Sequence, residues 1–309
     1  MKNVSRNRET FFQNARRNYQ LHMLMVLPVV YIVTFAYVPM YGAQIAFKDF
    51  VASKGIFGSP WIGLDNFIYF FDSYQFWRLI RNTIGISLYS ILAGFPIPIV
   101  LALSLNNSLN LRFKKTVQLV TYAPHFISTV VMVGMIIQFT SPTVGIYRSI
   151  VEFLHLEPIS FLGESRYFWH IYVWTGVWQS MGWGTIIYMA ALSGVDPQLH
   201  EAAIIDGAGK LQRTLLIDLP AILPTAIIIL ILSSGNIMNV GFEKIFLMQN
   251  DMNISASEVI QTYVYKVGLT GFPDFSYSAA IGLFNSLVNC LILIIVNAVS
   301  KKVSQTSLW

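Results

Sequence analysis

"EAAIIDGAGKLQRTLLIDLP", residues Glu201 to Pro220, sets acidic, basic and small residues between two long apolar runs. Just before it, Asp196 and Pro197 form a good N-cap and first-turn pair, so "DPQLHEAAIIDGAG" predicts the start of a short helix. Ala202 and Ala203 let another surface approach closely. Gly207 and Gly209 predict a sharp turn, because glycine accepts positive φ at little cost. The chain then returns through "LQRTLLIDLP", with Pro220 and Pro224 expected at the start of the next helix. The pattern is a polar elbow: a short helix, a glycine corner and a second helix. "GAGK" is no phosphate loop, since Ile204 stands where the first glycine of that motif belongs and Leu211 follows Lys210. An interfacial amphipathic helix is the competing reading of the same stretch.

The surroundings of the elbow are membrane-like. Of the 309 residues, 55% are hydrophobic and 11% charged, with a mean hydropathy of +0.58. Soluble domains carry about 25% charged residues, so this chain cannot cover a water-facing surface of its size. Six runs are long enough to cross about 30 Å of hydrocarbon: 22–46, 82–105, 117–140, 168–192, 221–242 and 276–300. The predicted fold class is therefore all-α, a polytopic membrane protein with six transmembrane helices. The first run is too long for a signal peptide and lacks a small-x-small cleavage site at its end.

Orientation follows from Lys and Arg. With the N-terminus inside, the inner segments hold 12 basic and 5 acidic residues, among them Lys2, Arg6, Arg8, Glu9, Arg16 and Arg17. The outer segments hold 8 basic and 10 acidic residues. That asymmetry is what insertion favours, and it predicts both termini and the 193–220 elbow to be cytoplasmic. In this setting the net charge of +5 is loop charge and points to no nucleic acid. Trp61, Trp77, Trp169, Trp174 and Trp309 fall near segment ends, where indoles prefer the headgroup layer. Pro28, Pro96, Pro98 and Pro124 predict kinks. The loops 47–80 and 243–275 are long enough for a small cap, with interfacial helix expected in "SPWIGLDNFIYFFDSYQFWRLIRNT". The single cysteine, Cys290, permits no internal disulfide, and no Cys/His metal spacing exists.

As drawn, the six spans contain no Asp, Glu, Lys or Arg, which argues against an ion-coupled carrier. His125, after Pro124, reads as a packing or kink residue. Neutral polar groups are present: Gln138, Gln179, Asn236, Asn239, Asn285 and Asn289, with Trp178, Trp183 and Tyr188 on the fourth span. Amides pair with sugar hydroxyls and aromatic faces cover a sugar's C–H surface. The same amides also serve as interhelical glue, worth about 0.6 kcal/mol each. Gln179, Trp183, Asn236 and Asn239 are the preferred substrate-path group, expected at mid-depth on adjacent spans.

Glu201-Ala202-Ala203, Asp206-Gly207-Ala208, Ile217, Leu219 and Pro220 together resemble the EAA loop of type I ABC importer permeases, with the spacing kept throughout. One departure is Thr214, where many members carry an aromatic residue. "GLDNF" at 63–67, "RNT" at 81–83, "FPIPIVLALSLN" at 95–106 and "YMAALSGVDPQLHEAA" at 188–203 resemble the sugar-permease branch. "GFEKIFLM" at 241–248, "VIQTYVYKVGL" at 259–269 and the final "SLW" resemble members that handle oligosaccharides released from polysaccharides or complex glycans.

The resemblance implies a multi-pass subunit of the cell membrane, paired with a second, related permease subunit around a central path. It implies two cytoplasmic ATPase subunits gripping the elbows, and an external solute-binding protein delivering the oligosaccharide. Glu201, Ala202, Ala203, Asp206, Gly207 and Ala208 would then couple movement and make or break no bond, with ATP and Mg held by the partner ATPase and no cofactor or metal in this chain. The chain divides into 1–79 (N-terminus, first span, external loop), 80–300 (the transmembrane domain, with the coupling loop at 196–220) and a 301–309 tail. An ion-coupled secondary sugar transporter is the alternative. An intramembrane enzyme is a third reading, but no nucleophile with a base and no ligand set appears in the spans.

Overall fold

The computed structural model describes residues 17–304 and 307–308. Lys2, Arg6, Arg8, Glu9, Arg16 and Trp309 lie outside them. Among the described residues the chain is helical, apart from one isolated bridge between Lys48 and Trp61. The main elements are α1 (Tyr19–Phe47), α2 (Asp65–Asp72), α3 (Phe76–Asn106), α4 (Leu111–Phe126), α5 (Thr129–Thr140) and α6 (Ile146–Phe153). Then come α7 (Ser165–Leu192), α8 (Pro197–Ile205), α9 (Lys210–Ser234), α10 (Phe242–Met248), α11 (Ile260–Leu269) and α12 (Phe275–Ser304).

Four of these, α1, α3, α9 and α12, are long and apolar enough to cross a membrane, and a fifth crossing results if the bent pair α4–α5 counts as one. The sequence predicted six. The third predicted span, 117–140, is two helices bent by 101°, because the chain leaves helical geometry at Ile127 and Ser128, just after the Pro124 turn. The fourth, α7, has 28 residues, about 42 Å of helix, yet polar and aromatic residues keep it out of the apolar set. The fifth was expected over 221–242. Its helix instead starts at Lys210 and unwinds at Gly235, so 235–241 is irregular backbone. The spans as drawn stay free of charge, but the helices run past them. Helix α3 begins early enough to include Arg78 and Arg81, and α9 includes Lys210, Arg213 and Asp218.

Helix α7 is central and packs on α3, α4 and α9. Its approach to α4 depends on Gly182, where a Cβ would fall 2.1 Å from the Thr121 carbonyl oxygen. One apolar cluster joins Ala102, Tyr188, Leu192, Ile222 and Ala226 of α3, α7 and α9. A second joins Ile86, Met132, Ile136, Phe168, Ile245 and Val259. A third holds Phe70, Leu79, Met238, Ile260, Tyr277 and Ile281, with the rings of Phe70 and Phe76 edge to face at 5.1 Å. In contrast, α1 is apolar all round and packs against nothing over its hydrophobic window.

The motifs outside the elbow hold the fold together. Asn82 of "RNT" donates to the carbonyls of Ser255 (3.0 Å) and Glu258 (2.9 Å), and Thr83 accepts from the Ile260 N–H at 3.1 Å. Buried Glu258 pairs with Arg78 and, at 3.0 Å, with Lys266. Asn66 of "GLDNF" donates to the carbonyl of Ala46 at 2.9 Å. The 47–80 loop, where an interfacial helix is expected, contains the helix α2. Trp169, expected in the headgroup layer, turns inward and donates to the Ala256 carbonyl at 2.9 Å.

Candidate functional site

Two regions carry functional geometry, one at each side of α7's C-terminal half. The first is the elbow. Helix α8 starts where expected: Asp196 Oδ1 accepts from the Gln198 N–H at 2.9 Å and Pro197 occupies the first turn. It ends in a Schellman closure, with Gly207 N–H bonded to the Ile204 carbonyl (3.0 Å) and Ala208 N–H to that of Ala203 (2.8 Å). Gly207 has φ +80°, the left-handed region that glycine occupies freely. The space around it is open, so the constraint at this corner is backbone conformation and not crowding. Gly209 differs from expectation: its φ is −71° in extended backbone, and its N–H is bonded to Gln212 Oε1 at 2.8 Å as α9 begins.

Glu201, Ala202, Asp206 and Gly207 are exposed, with Ala203 and Ala208 half-buried. Apolar Leu199, Ile204 and Ile205 are exposed beside them, Ile205 to 87%. The underside is tied down. Asp218, 1% exposed on α9, meets His200 Nε2 of α8 at 3.2 Å and Asn106 Nδ2 of α3 at 3.4 Å. Asn107 Nδ2 donates to Thr214 Oγ1 at 2.7 Å and to the Leu103 carbonyl at 2.9 Å. Thr214, the departure from an aromatic residue, is thus a hydrogen-bond partner for the end of α3. From Thr214 to Asp218 the helix widens into a π turn, with the Leu219 N–H reaching back to the Thr214 carbonyl. Pro220, which has no N–H to give, follows at once, so a widened turn accommodates it inside a helix. Pro220 and Pro224 therefore sit within α9 and do not start it.

The second region is a groove along α7. Tyr172, Gly176, Gln179, Ser180 and Trp183 recur at helical spacing and form one stripe. Opposite lie Ser90 and Gly94 of α3, and Ser233, Asn236, Asn239 and Gly241 of the α9 end and the unwound segment after it. Three adjoining hollows of about 320, 230 and 340 Å3 share Ser90 as a wall.

All four sequence-predicted path residues border this groove: Gln179 the first hollow, Asn236 and Asn239 the second, Trp183 the third. They do not sit on adjacent continuous helices, since Asn236 and Asn239 belong to the break. Gln179 donates to the Ile127 carbonyl at 2.9 Å, which satisfies an oxygen freed where α4 and α5 separate. Trp183, 47% exposed, stacks on His125 with centroids 4.4 Å apart and planes 5° apart. Asn236 donates only back to the Leu232 carbonyl (3.2 Å), and Asn239 Oδ1 accepts from Gln261 (3.0 Å) and Asn285 (2.9 Å). Asn289 takes the Met238 N–H at 2.9 Å, so Asn285 and Asn289 are glue for the break.

Sequence reasoning missed Lys244. It is 8% exposed on α10, its Nζ donates to the Tyr172 carbonyl and to Thr175 Oγ1 (2.9 Å each), and it lines the first hollow. Burial pulls its pKa down to about 8. The available signal was a lysine set between Phe242, Ile245 and Phe246 just past an apolar run.

The chain's residues 94–305 match the family model described as binding-protein-dependent transport system inner membrane component. It is 39% identical to Protein LplB of Bacillus subtilis (strain 168), over 95% of this chain and 92% of that protein. It is 39% identical to the polygalacturonan/rhamnogalacturonan transport system permease protein YteP of the same organism, over 93% of this chain and 89% of that one. Among solved structures, a chain of a bacterial ABC transporter involved in the import of the acidic polysaccharide alginate superposes with a TM-score of 0.88. It shares 35% identity, covering 96% of this chain and 99% of that one.

Proposed function

The chain belongs to the family of binding-protein-dependent transport system inner membrane components, and from that premise we propose that it forms half of the translocation path for an oligosaccharide. It is a permease subunit of an ATP-driven importer, an inner-membrane component that crosses the bilayer several times. The observation that carries the reading is the elbow. A capped, exposed helix stands on a hydrogen-bonded base shared by α3, α8 and α9.

In this reading Glu201, Ala202, Ala203, Asp206, Gly207 and Ala208 form a handle for a cytoplasmic ATPase subunit, with one ATPase for each of two permease subunits. ATP and Mg belong to the ATPase. Closure of the ATPase pair moves α8, and the contacts of Asp218 and Thr214 carry that movement into α9 and α3. Counting α7 and the α4–α5 pair as crossings gives six spans with both termini cytoplasmic, in line with the Lys/Arg asymmetry. The exposed apolar window of α1 supports a second, related permease subunit as neighbour, lipid covering the rest. In this reading the chain divides into 1–79, 80–300 and 301–309, the first boundary lying in the first turn of α3 and the second within α12.

Gln179, Trp183, Asn236 and Asn239 would line the path. Oligosaccharide cargo is supported by relatives that serve polygalacturonan/rhamnogalacturonan and alginate transport. It is also supported by a groove that mixes amides, hydroxyls and an aromatic face. An external binding protein would deliver the cargo.

The test is uptake by the purified complex in proteoliposomes, with cross-links placed from the elbow. We expect vanadate-sensitive uptake that requires the binding protein, and cross-links to an ATP hydrolase. Uptake driven by a proton gradient, without ATP or a binding protein, would instead establish the ion-coupled alternative.

A further inference from the structure

We infer that Lys244 is a recognition point for an anionic sugar: its ammonium, presented at the first hollow of the groove, binds a carboxylate of a uronate-bearing oligosaccharide in passage. The inference rests on the oligosaccharide-permease reading and narrows its substrate class.

The argument begins with charge balance. Among the described residues the ion pairs are Arg78 and Lys266 with Glu258, Arg148 with Glu152, Arg166 with Glu164, and His200 with Asp218. Lys244 is in none of them. Its two bonds go to neutral oxygens, a carbonyl and a hydroxyl, and its ammonium also lies over the Tyr172 ring, 4.8 Å from the centroid, so its contacts are all with neutral groups and no carboxylate neutralises it. Burying a cation without a counter-charge is costly, and a neutral amide would hold α10 to α7 as well. Gln179 and Asn285 do that kind of work in the same protein. Buried charges elsewhere in the chain are settled in two ways: Glu258 receives two cations, and Lys48 gives its ammonium to the Ile56 carbonyl over the Trp61 ring; Lys244 follows the second pattern but borders the groove.

The surroundings fit a sugar acid. The hollow of about 320 Å3 has Ser90, Thr129, Gln179 and Ser180 in its wall, donors and acceptors for hydroxyls. Gly176 lies directly beside the ammonium: a Cβ there would sit 3.4 Å from Nζ. Lysine meets the carboxylate as a point charge, without the fixed fork of arginine, which suits a ligand that must leave again.

The experiment uses the complete complex with its partner permease, ATPase and binding protein in proteoliposomes. ATP-driven uptake is measured for four uronate trisaccharides (galacturonate, glucuronate, mannuronate and guluronate) and for their carboxyl-reduced, neutral counterparts. The readout is the ratio of uronate to neutral uptake efficiency, wild type against Lys244→Met and Lys244→Gln. Selection by the binding protein is common to all and cancels in the comparison. We expect uronate uptake in the wild type and a ratio lowered about tenfold in both variants, about 1.4 kcal/mol. Lys244→Arg should keep most of the ratio. An unchanged ratio, or uptake of the neutral forms alone, overturns the inference while leaving the importer intact. So does failure of both neutral variants to assemble while Lys244→Arg assembles, since the cation is then structural. Uptake of neither form also overturns the inference, since no uronate oligosaccharide is then carried, while the binding-protein-dependent uptake and elbow cross-links of the previous test decide the importer reading.

Discussion

The elbow and the groove meet on α7 but are built in opposite ways. In the elbow the exposed residues make few bonds of their own, and the shape resides in the backbone: an Asp196 cap, a Schellman closure and one left-handed glycine. In the groove the backbone is broken at two places, and side chains hold the shape. Gln179 satisfies Ile127, Asn285 holds Asn239, Asn289 holds Met238, and His125 backs Trp183. On the proposed reading the elbow is a handle and the groove a path: a handle must keep its form under load and offer its surface to another chain. A path must expose polar groups within a membrane, and it does so by unwinding helices where side chains can answer the freed backbone.

The largest effect follows from the backbone rule. Gly207→Asp and Gly207→Val both force a side chain into φ +80° in otherwise open space. Left-handed backbone costs an L-residue about 1–2 kcal/mol, more when β-branched, and Asn is among the residues that tolerate it. We expect Gly207→Val to lower ATP-driven uptake by more than about tenfold, with Asp intermediate and Asn nearest wild type, while membrane insertion is unchanged. The strain of about 1–2 kcal/mol sets that scale. If Val and Asn behave alike, conformation is not what the corner supplies, and the contrast between the regions breaks there.

A smaller effect is expected in the groove. Trp183→Ala removes a half-exposed ring that stacks on His125. Aromatic stacking is worth about 0.5–1.5 kcal/mol, so the apparent affinity for cargo should fall by roughly threefold to tenfold. Titrated uptake and ATPase activity, measured together, check it: KM should rise while the ATPase stays bound and active. Loss of the ATPase from the purified complex would move Trp183 from the path to the coupling machinery.

Legibility in the sequence divides along the same line. The elbow could be read because its determinants are contiguous: Asp196-Pro197 gave the helix start, and Gly207 gave the corner. Even so, the φ of Gly209 is not legible, since a glycine in a turn does not announce it, and neither is the π turn that joins Pro220 to the helix before it. The helical class was legible from apolar run length. The continuity of the third and fifth spans was not, because hydropathy stays high across Ile127 and Val240 while the backbone leaves the helix. Gln179, Asn236 and Asn239 stand out in the sequence by polarity within apolar runs, and Trp183 as an aromatic face beside them. Lys244 does not, because a charge two residues beyond a predicted span looks external until the unwound segment folds α10 back against α7.

The smallest effects give the finest test, since they set one asparagine against another. Asn107 ties the end of α3 to Thr214 at the base of the elbow, and Asn236 borders the groove and bonds only to its own helix. Removing a hydrogen bond between elements costs about 0.5–1.5 kcal/mol, whereas a side chain bonded only within its own turn contributes little to the fold. Asn107→Ala should therefore lower stability by about 1 kcal/mol and blunt stimulation of the ATPase by loaded binding protein, with KM for cargo unchanged. Asn236→Ala should leave stability near wild type and raise KM by about twofold, less than the loss of a full hydrogen bond. Denaturation of the purified complex and uptake kinetics separate the two. Should Asn107→Ala shift KM, or Asn236→Ala the stability, the handle and the path would not be separable devices. The contacts of Asp218 and Thr214 would then carry cargo information into the elbow as well as movement out of it.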